Sequence, residues 1–201
     1  LPSFFVTDGF GGRFYFSEIG NQTWMTENLR VKYFNDFSSL SVLFNLEDNL
    51  KWINEPAYYT ADIGKESKYG QLYNYNVVHN AKNICPIGWH LPSTAEFQQL
   101  VDFVGDSISA FNKLRSLDDW TGATNNYETN SSTFNAFPSG AVYWEDELQK
   151  LEIEIDNLNY FWATDGILTM GIDRNMTTNY VIVEEFTNTP GFGCSIRCVH
   201  D

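Results

Sequence analysis

Apolar positions follow two spacings along this chain. From residue 93 the spacing is helical: Phe97, Leu100, Val101 and Val104 stand at i, i+3, i+4 and i+7, a single stripe suited to face a core. Pro92 precedes this run, Ser93 is the expected N-cap, Glu96 completes a capping box, and Gly105-Asp106 ends the helix. A second, shorter helix is predicted from Ser107 to Leu117, with Ile108, Phe111 and Leu114 inward. Elsewhere the period is two. Arg13 to Ile19, the turn Gly20-Asn21 and Gln22 to Met25 read as a hairpin. Leu151, Ile153 and Ile155 alternate with Glu152 and Glu154, as in a half-buried strand. Phe161 to Thr164 and Ile167 to Met170 flank Asp165-Gly166, a second hairpin signal, and Tyr180–Val183 and Cys194–Val199 supply further strands. Residues 35–70 carry neither period and read as irregular loops pinned by Trp52, Tyr58 and Tyr59. Strands that follow the helices in a block, rather than alternating with them, predict an α+β fold.

Composition narrows the function. The 201 residues suit one domain, and 43% hydrophobic with 16% aromatic content suits a packed one. A net charge of −14 argues against nucleic acid and anionic lipid as partners, since both need clustered Lys and Arg. No apolar run approaches the roughly 20 residues of a membrane span, so direct membrane insertion is not expected. The cysteines, Cys85, Cys194 and Cys198, have no zinc-site spacing. On one terminal strand, Cys194 and Cys198 would lie roughly 13 Å apart at about 3.3 Å per residue. A disulfide needs about 5.5 Å between Cα atoms, so Cys85 is expected to bond one of the two, in an oxidising compartment.

The motifs of enzymes are scarce. There is no GxSxG, HExxH, GxGxxG or P-loop pattern. The histidines are His79, His90 and His200; His90 could serve as a general base, but a half-buried ring bonded to backbone is the simpler expectation. Acidic pairs such as Asp118-Asp119 and the loop Glu145-Asp146-Glu147 offer a glycosidase little specificity. No cofactor is expected; calcium is the one ion these acidic groups could hold, though no EF-hand loop occurs. Aromatic residues among Asn, Thr, Ser and Asp are the stronger lead: Trp120, Tyr127, Tyr143, Trp144 and Tyr160 could meet a sugar or a protein, whereas Trp162 belongs to the core.

Six segments together resemble one family. They are Ile19-Gly-Asn-Gln-Thr-Trp-Met-Thr-Glu-Asn-Leu29, Tyr69-Gly-Gln-Leu-Tyr-Asn-Tyr75, Ile84-Cys-Pro-Ile-Gly-Trp-His-Leu-Pro-Ser-Thr-Ala-Glu-Phe97, Phe134-Asn-Ala-Phe-Pro-Ser-Gly140, Tyr160-Phe-Trp-Ala-Thr164 and Ser195-Ile-Arg-Cys-Val-His-Asp201. In this order they resemble the Fibrobacter succinogenes major paralogous domain of secreted and surface proteins in Bacteroidetes and relatives. The resemblance runs from about residue 13 to the end, so the expected division is a leader segment at 1–12 and one domain at 13–201.

The resemblance implies a C-type lectin-like fold, also akin to formylglycine-generating enzymes: two helices plus antiparallel sheets with long irregular loops. It implies a Cys85–Cys198 disulfide, a scaffold role for Trp24, Trp89, Pro92, Trp162 and Arg197, and no catalytic residues. Export is implied too, as a secreted protein or an outer-membrane surface lipoprotein of a bacterium. Cys194 replaces the aromatic residue usual in the family, the acidic insert from Glu145 to Asp156 is longer than usual, and the calcium-lectin triplets are absent at their expected place. The resulting expectation is a non-catalytic extracellular binding or adhesion module for a glycan or surface protein. Its ligand-binding residues would lie in the long-loop region: Trp120, Asn125, Asn126, Tyr127, Trp144, Glu145, Asp146 and Asp173. The alternatives are a structural or tip subunit of a surface assembly, then a carbohydrate-active hydrolase.

Overall fold

The computed structural model describes residues 4–44, 49–60, 64–123, 128–145, 150–154, 157–172, 179–185 and 190–201. The expected N-terminal hairpin forms, with β2 (Arg13–Ile19) and β3 (Gln22–Met25) paired antiparallel, Ser17 opposite Trp24, around Gly20-Asn21. The sheet reaches further back than the predicted domain start at residue 13. β1 (Phe5–Thr7), a run of aromatic and β-branched residues, pairs with β2 from inside the segment read as a leader.

The next stretch, read as irregular loops, contains short regular pieces: β4 (Ser41–Leu43), α1 (Asn49–Asn54), β5 (Ala57–Tyr59) and α2 (Glu66–Tyr69). Periodicity could not reveal them because each is shorter than the window in which a period can be read. Trp52 and Tyr58 are buried, as pinning residues should be. Beyond α2 come β6 (Leu72–Asn74), α3 (Tyr75–Val78) and β7 (Trp89–His90). Gly70 joins α2 to β6 with φ +74, and a Cβ there would stand 2.6 Å from the Asn28 Cβ, so position 70 requires glycine.

The main helix, α4 (Thr94–Val104), has the predicted capping box. Ser93 Oγ accepts from the Glu96 amide at 3.3 Å, and the Glu96 carboxylate accepts from the Ser93 amide at 2.8 Å. Phe97, Leu100, Val101 and Val104 are buried. The second helix, α5 (Ser107–Leu114), is capped by Asp106 and buries Ala110, Phe111 and Leu114. Ile108 was expected inward but faces solvent, because the buried stripe is centred on 110, 111 and 114. The helix stops at 114 rather than 117, where Arg115 turns extended and becomes buried, leaving Leu117 exposed.

The strands that follow are β8 (Ala141–Glu145), β9 (Lys150–Glu154), β10 (Leu158–Trp162), β11 (Gly166–Ile172), β12 (Asn179–Glu185), β13 (Gly193–Ser195) and β14 (Val199–His200). The second predicted hairpin is β10–β11, with Trp162 opposite Ile167. Trp144 and Glu145, read as bordering a loop, lie on β8, paired with β9. The predicted terminal strand is broken: the chain leaves β13 after Ser195 and pairs again only at Val199, in the other sheet.

The described strands make two sheets. One has the order β1-β2-β3-β14-β7 and brings both ends of the chain together; the other has the order β12-β11-β10-β13-β6-β5-β4, with β8 pairing β13 and β9. Pairing is antiparallel except between β4 and β5 and between β10 and β13, so the fold is α+β with mostly antiparallel sheets. Among the described residues no helix is long and apolar enough to cross a membrane.

Cys85 and Cys198 are bonded, with their Cα atoms 5.9 Å apart, and Cys194 is a buried free thiol. The bond ties the loop before β7 to the residue that leads into β14, while the Met25 amide donates to the Cys198 carbonyl at 3.1 Å.

Candidate functional site

The turn between β1 and β2 is Asp8-Gly-Phe-Gly-Gly12. Asp8 orders it by accepting at Oδ1 from the amides of Phe10 at 2.8 Å and Gly12 at 2.7 Å. The turn holds Phe10 at its tip with 54% of the residue exposed. Opposite lies the loop from Tyr33 to Ser39, closed by a Tyr33–Ser39 bridge and by the Phe37 amide donating to the Phe34 carbonyl at 2.9 Å. Phe37 adopts φ +65, an uncommon conformation for a bulky side chain, and is 63% exposed.

The rings of the two loops meet. Phe10 stacks on Tyr33 with centroids 4.4 Å apart, and Phe37 meets Phe10 edge-on at 5.3 Å. Two adjoining cavities share this stack. One, of about 210 Å³, is mainly apolar, lined by Phe34, Phe37, Ile84, Pro86 and Ile87. The other, of about 350 Å³, also exposes mainly apolar surface, with the charged residues Asp8, Arg30, Lys32 and Glu66 among those that line it. Phe10, Val31, Tyr33 and Asp8 line both, so the two adjoin as one groove, with charged residues grouped at one end.

The scaffold holds this groove in shape. Asn35 donates to the Cys85 carbonyl at 2.7 Å, which ties the Tyr33–Ser39 loop directly to the disulfide. Lys82 pairs with Asp36 at 2.9 Å and donates to Ser38 Oγ at the same distance. Hydrogen bonds from Ser38, then from Lys82, hold the Asp36 carboxyl down at about 2. Arg30 lies over the Phe14 ring at 4.3 Å and donates to the Arg13 carbonyl, two contacts that fix its guanidinium. Exposed aromatic rings on loops braced in this way suit recognition of a ligand with apolar faces.

The residues singled out from sequence lie elsewhere. Trp120 is a core ring, 5% exposed, donating its indole N–H to the Ala136 carbonyl at 2.9 Å and meeting Phe111 edge-on at 5.0 Å. Its polar neighbours in sequence suggested exposure, but the indole turns inward to satisfy that donor. Trp144 is half-buried and packs beside Leu43, Trp52 and Leu151; Glu145 is half-buried on β8 opposite Lys150. Tyr160 is half-buried with its ring edge-on to Phe192 at 5.6 Å, and burial pushes its hydroxyl up to about 12. Asn125, Asn126, Tyr127, Asp146 and Asp173 lie outside the described residues. His90 bonds carboxylates rather than backbone: Nε2 to Glu96 at 2.8 Å and Nδ1 to Asp201 at 2.7 Å. Among the described residues no three His, Cys, Asp or Glu side chains are grouped to hold a metal ion.

Sequence reasoning missed Phe10, Tyr33 and Phe37. A signal for one of them was present: a phenylalanine between glycines, in a turn flanked by Phe5-Val6 and Phe14-Tyr15-Phe16, marks a hairpin with an aromatic tip. No curated protein and no solved structure gives a significant match to the chain. The family described as the Fibrobacter succinogenes major domain matches residues 18–200, nearly the whole of the described fold, with the Cys85–Cys198 pair and the Ser93 helix start inside the match. The chain therefore belongs to the Fibrobacter succinogenes major domain family.

Proposed function

We propose that this protein is a non-catalytic extracellular binding module with a C-type lectin-like scaffold, whose ligand is a glycan or a surface protein held in the Phe10–Tyr33–Phe37 groove. The observation that carries the reading is the exposed ring cluster itself. Three aromatic side chains from two separate loops converge on one groove, one loop ordered by Asp8 and the other tied to the disulfide and to the Asp36–Lys82 pair. Aromatic rings give large contact area with little entropy to lose, and braced loops lower the cost of binding. The disulfide supports export, because such bonds persist in oxidising compartments.

The test compares wild type with Phe10→Ala/Tyr33→Ala on a glycan array and in pull-downs from bacterial surface and host-surface preparations. The reading predicts that binding is lost in the double variant while its circular dichroism spectrum is unchanged. Equal binding by both proteins would remove the groove from the function.

A second reading, a structural or tip subunit of a surface assembly, is favoured by exposed aromatic residues beyond the groove: Phe4, Phe5 and Tyr15 on the first sheet and Phe44 after β4. Large exposed apolar patches mark contact with partners. Concentration-dependent association in sedimentation, abolished by Phe5→Ser/Phe44→Ser, would support this reading over a monomeric binder.

A further inference from the structure

The outer side of β1 is an open sheet edge. β1 ends the sheet order β1-β2-β3-β14-β7 and pairs with β2, Phe5 opposite Tyr15 and Thr7 opposite Arg13. In an antiparallel pair, residues that exchange hydrogen bonds with the partner strand alternate with residues whose N–H and C=O point away from it. The Phe16 amide donates to the Phe4 carbonyl at 3.3 Å and the Asp8 amide to the Gly12 carbonyl at 2.9 Å, so Phe4, Val6 and Asp8 face β2. The Tyr15 amide instead donates to the Glu27 carboxylate at 2.9 Å, and the Tyr15 carbonyl accepts from the Thr26 amide at 2.9 Å, both on the far side of β2. Phe5 and Thr7 therefore turn their N–H and C=O to the outer edge, where these groups have no hydrogen-bond partner among the described residues. Both residues are exposed to solvent.

Natural edge strands are commonly guarded against pairing by charge, proline or a bulge. β9 and β12, at edges of the other sheet, carry Lys150, Glu152 and Glu154, and Glu184 and Glu185. β1 is Phe-Val-Thr, residues that favour strands, with no charge and no proline. The side chains beside it narrow the partner. Phe5 and Tyr15, 44% and 43% exposed, meet edge-on at 6.4 Å, and the Arg13 guanidinium lies 4.7 Å from the Phe5 ring centroid. Among the described residues no carboxylate pairs with Arg13, although the chain carries a net charge of −14. Free N–H and C=O groups at strand spacing match the backbone of another strand, and the ring and the cation match an apolar and an acidic side chain on one face of it. A second copy of the chain matches poorly: its β1 brings no acidic side chain, and two bodies of charge −14 repel.

We propose that β1 is a docking edge for an extended segment of a partner polypeptide, which adds a strand outside β1 through the backbone of Phe5 and Thr7 and sets an apolar side chain against Phe5 and an acidic one against Arg13. This goes beyond the reading of the groove and does not rest on it.

The probe is a short labelled peptide of alternating Val and Thr that carries one Phe and, on the same face in the next position of that face, one Asp. It is titrated against the full chain by fluorescence anisotropy, and hydrogen exchange locates it. The peptide should bind and slow exchange at the Phe5 and Thr7 amides. Two versions, each N-methylated at alternate residues so as to block one edge of the peptide, test backbone pairing: one should bind weaker by about tenfold and the other should not. Thr7→Pro removes an N–H that the fold does not use, so it should weaken binding by about tenfold at a melting temperature close to wild type. Arg13→Glu should reverse the preference, from the Asp peptide to its Lys counterpart. Equal binding of both N-methylated versions, or wild-type affinity in a folded Thr7→Pro, overturns the proposal; if Thr7→Pro fails to fold, the methylated peptides and Arg13→Glu decide. No binding of the peptide by wild type overturns it as well. So does dimerisation of the wild type that Thr7→Pro abolishes, in favour of a second copy at this edge.

Discussion

Arg197 donates from Nη2 to Oδ1 of Asn28, across 169 positions of sequence and inside the core. The two residues anchor a buried polar knot. Asn28 Nδ2 donates to the Tyr69 carbonyl at 2.9 Å, to Ser139 Oγ at 3.0 Å and to Ser195 Oγ at 3.2 Å. Arg197 Nη1 donates to the Phe134 carbonyl, and the guanidinium carbon lies 4.4 Å from the Phe134 ring centroid and 5.1 Å from that of Phe161. Burial pulls the guanidinium down to about 9, opposed by the field of Glu27, so it is still charged at neutral pH. Carbonyls and ring faces in place of a carboxylate partner solvate this charge.

Replacing Arg197 with Met keeps most of the volume but leaves Asn28 Oδ1 and the Phe134 carbonyl unpaired. At about 1–3 kcal/mol for each buried unpaired group, stability should fall by roughly 2–6 kcal/mol. Urea denaturation reads this as a lower midpoint with an unchanged slope. An unchanged midpoint would mean that the knot contributes nothing.

The disulfide spans 113 positions. In the chain-entropy model a loop of that length stabilises by about 4–5 kcal/mol, so Cys85→Ala/Cys198→Ala should show a loss of that order in denaturant. Thiol labelling gives an independent check. Burial pushes the Cys194 thiol well above its ordinary pKa, so the native protein should resist alkylation and acquire a single label, on Cys194, only when unfolded without reductant. Two or more labels on the native chain would contradict the bond.

His90 bridges the start of α4 and the chain end through Glu96 and Asp201. Burial works against the charged ring, but the hydrogen bonds to Glu96 and Asp201 outweigh it and hold the His90 pKa above the ordinary 6.5. This stabilisation is complete below pH 6.5 and fades as pH rises through the folded-state value. For Glu96, burial alone would raise the pKa; hydrogen bonds from Ser93 and His90 prevail and hold it below 4.5. That contribution is present above pH 4.5 and lost as pH falls through the folded value. The melting-temperature gap between wild type and His90→Gln should therefore be widest between pH 4.5 and 6.5 and narrow toward alkaline pH. A gap that is independent of pH would exclude a charged His90.

On the proposed reading of the groove, Phe37 sets stability against binding. At φ +65 its side chain is strained, and its ring is mostly in solvent. Phe37→Gly should raise stability by roughly 1 kcal/mol, because glycine adopts that conformation without steric cost. The same change should weaken ligand binding by removing the ring that meets Phe10. Lower stability in a calorimetric scan would show that the ring packs more than it strains.

The parts of the fold visible in sequence were those in which one stretch of chain carries the whole signal. Ser93 and Glu96 with the stripe from Phe97 to Val104 specify α4 locally, and Gly20-Asn21 between alternating strands specifies the first hairpin. The second helix was legible in place but not in facing: Ile108, Phe111 and Leu114 are also helically spaced, and only packing against β12 selects Ala110 over Ile108. The groove was hidden for a different reason. Phe10, the Tyr33–Phe37 loop and Ile87 are far apart in sequence, and only Phe10, between glycines, carries a local sign of exposure. The fold brings them together and leaves them uncovered. Trp120 misled in the opposite direction, because polar neighbours along the chain do not decide which way an indole turns.

Amide hydrogen exchange of the intact protein, with and without the ligand found by array or pull-down, locates the contact face directly. Slower exchange should appear at residues 8–12 and 33–38, on both walls of the aromatic groove. Protection confined to the Trp120 and Trp144 segments, with the groove unchanged, would place the ligand on another surface.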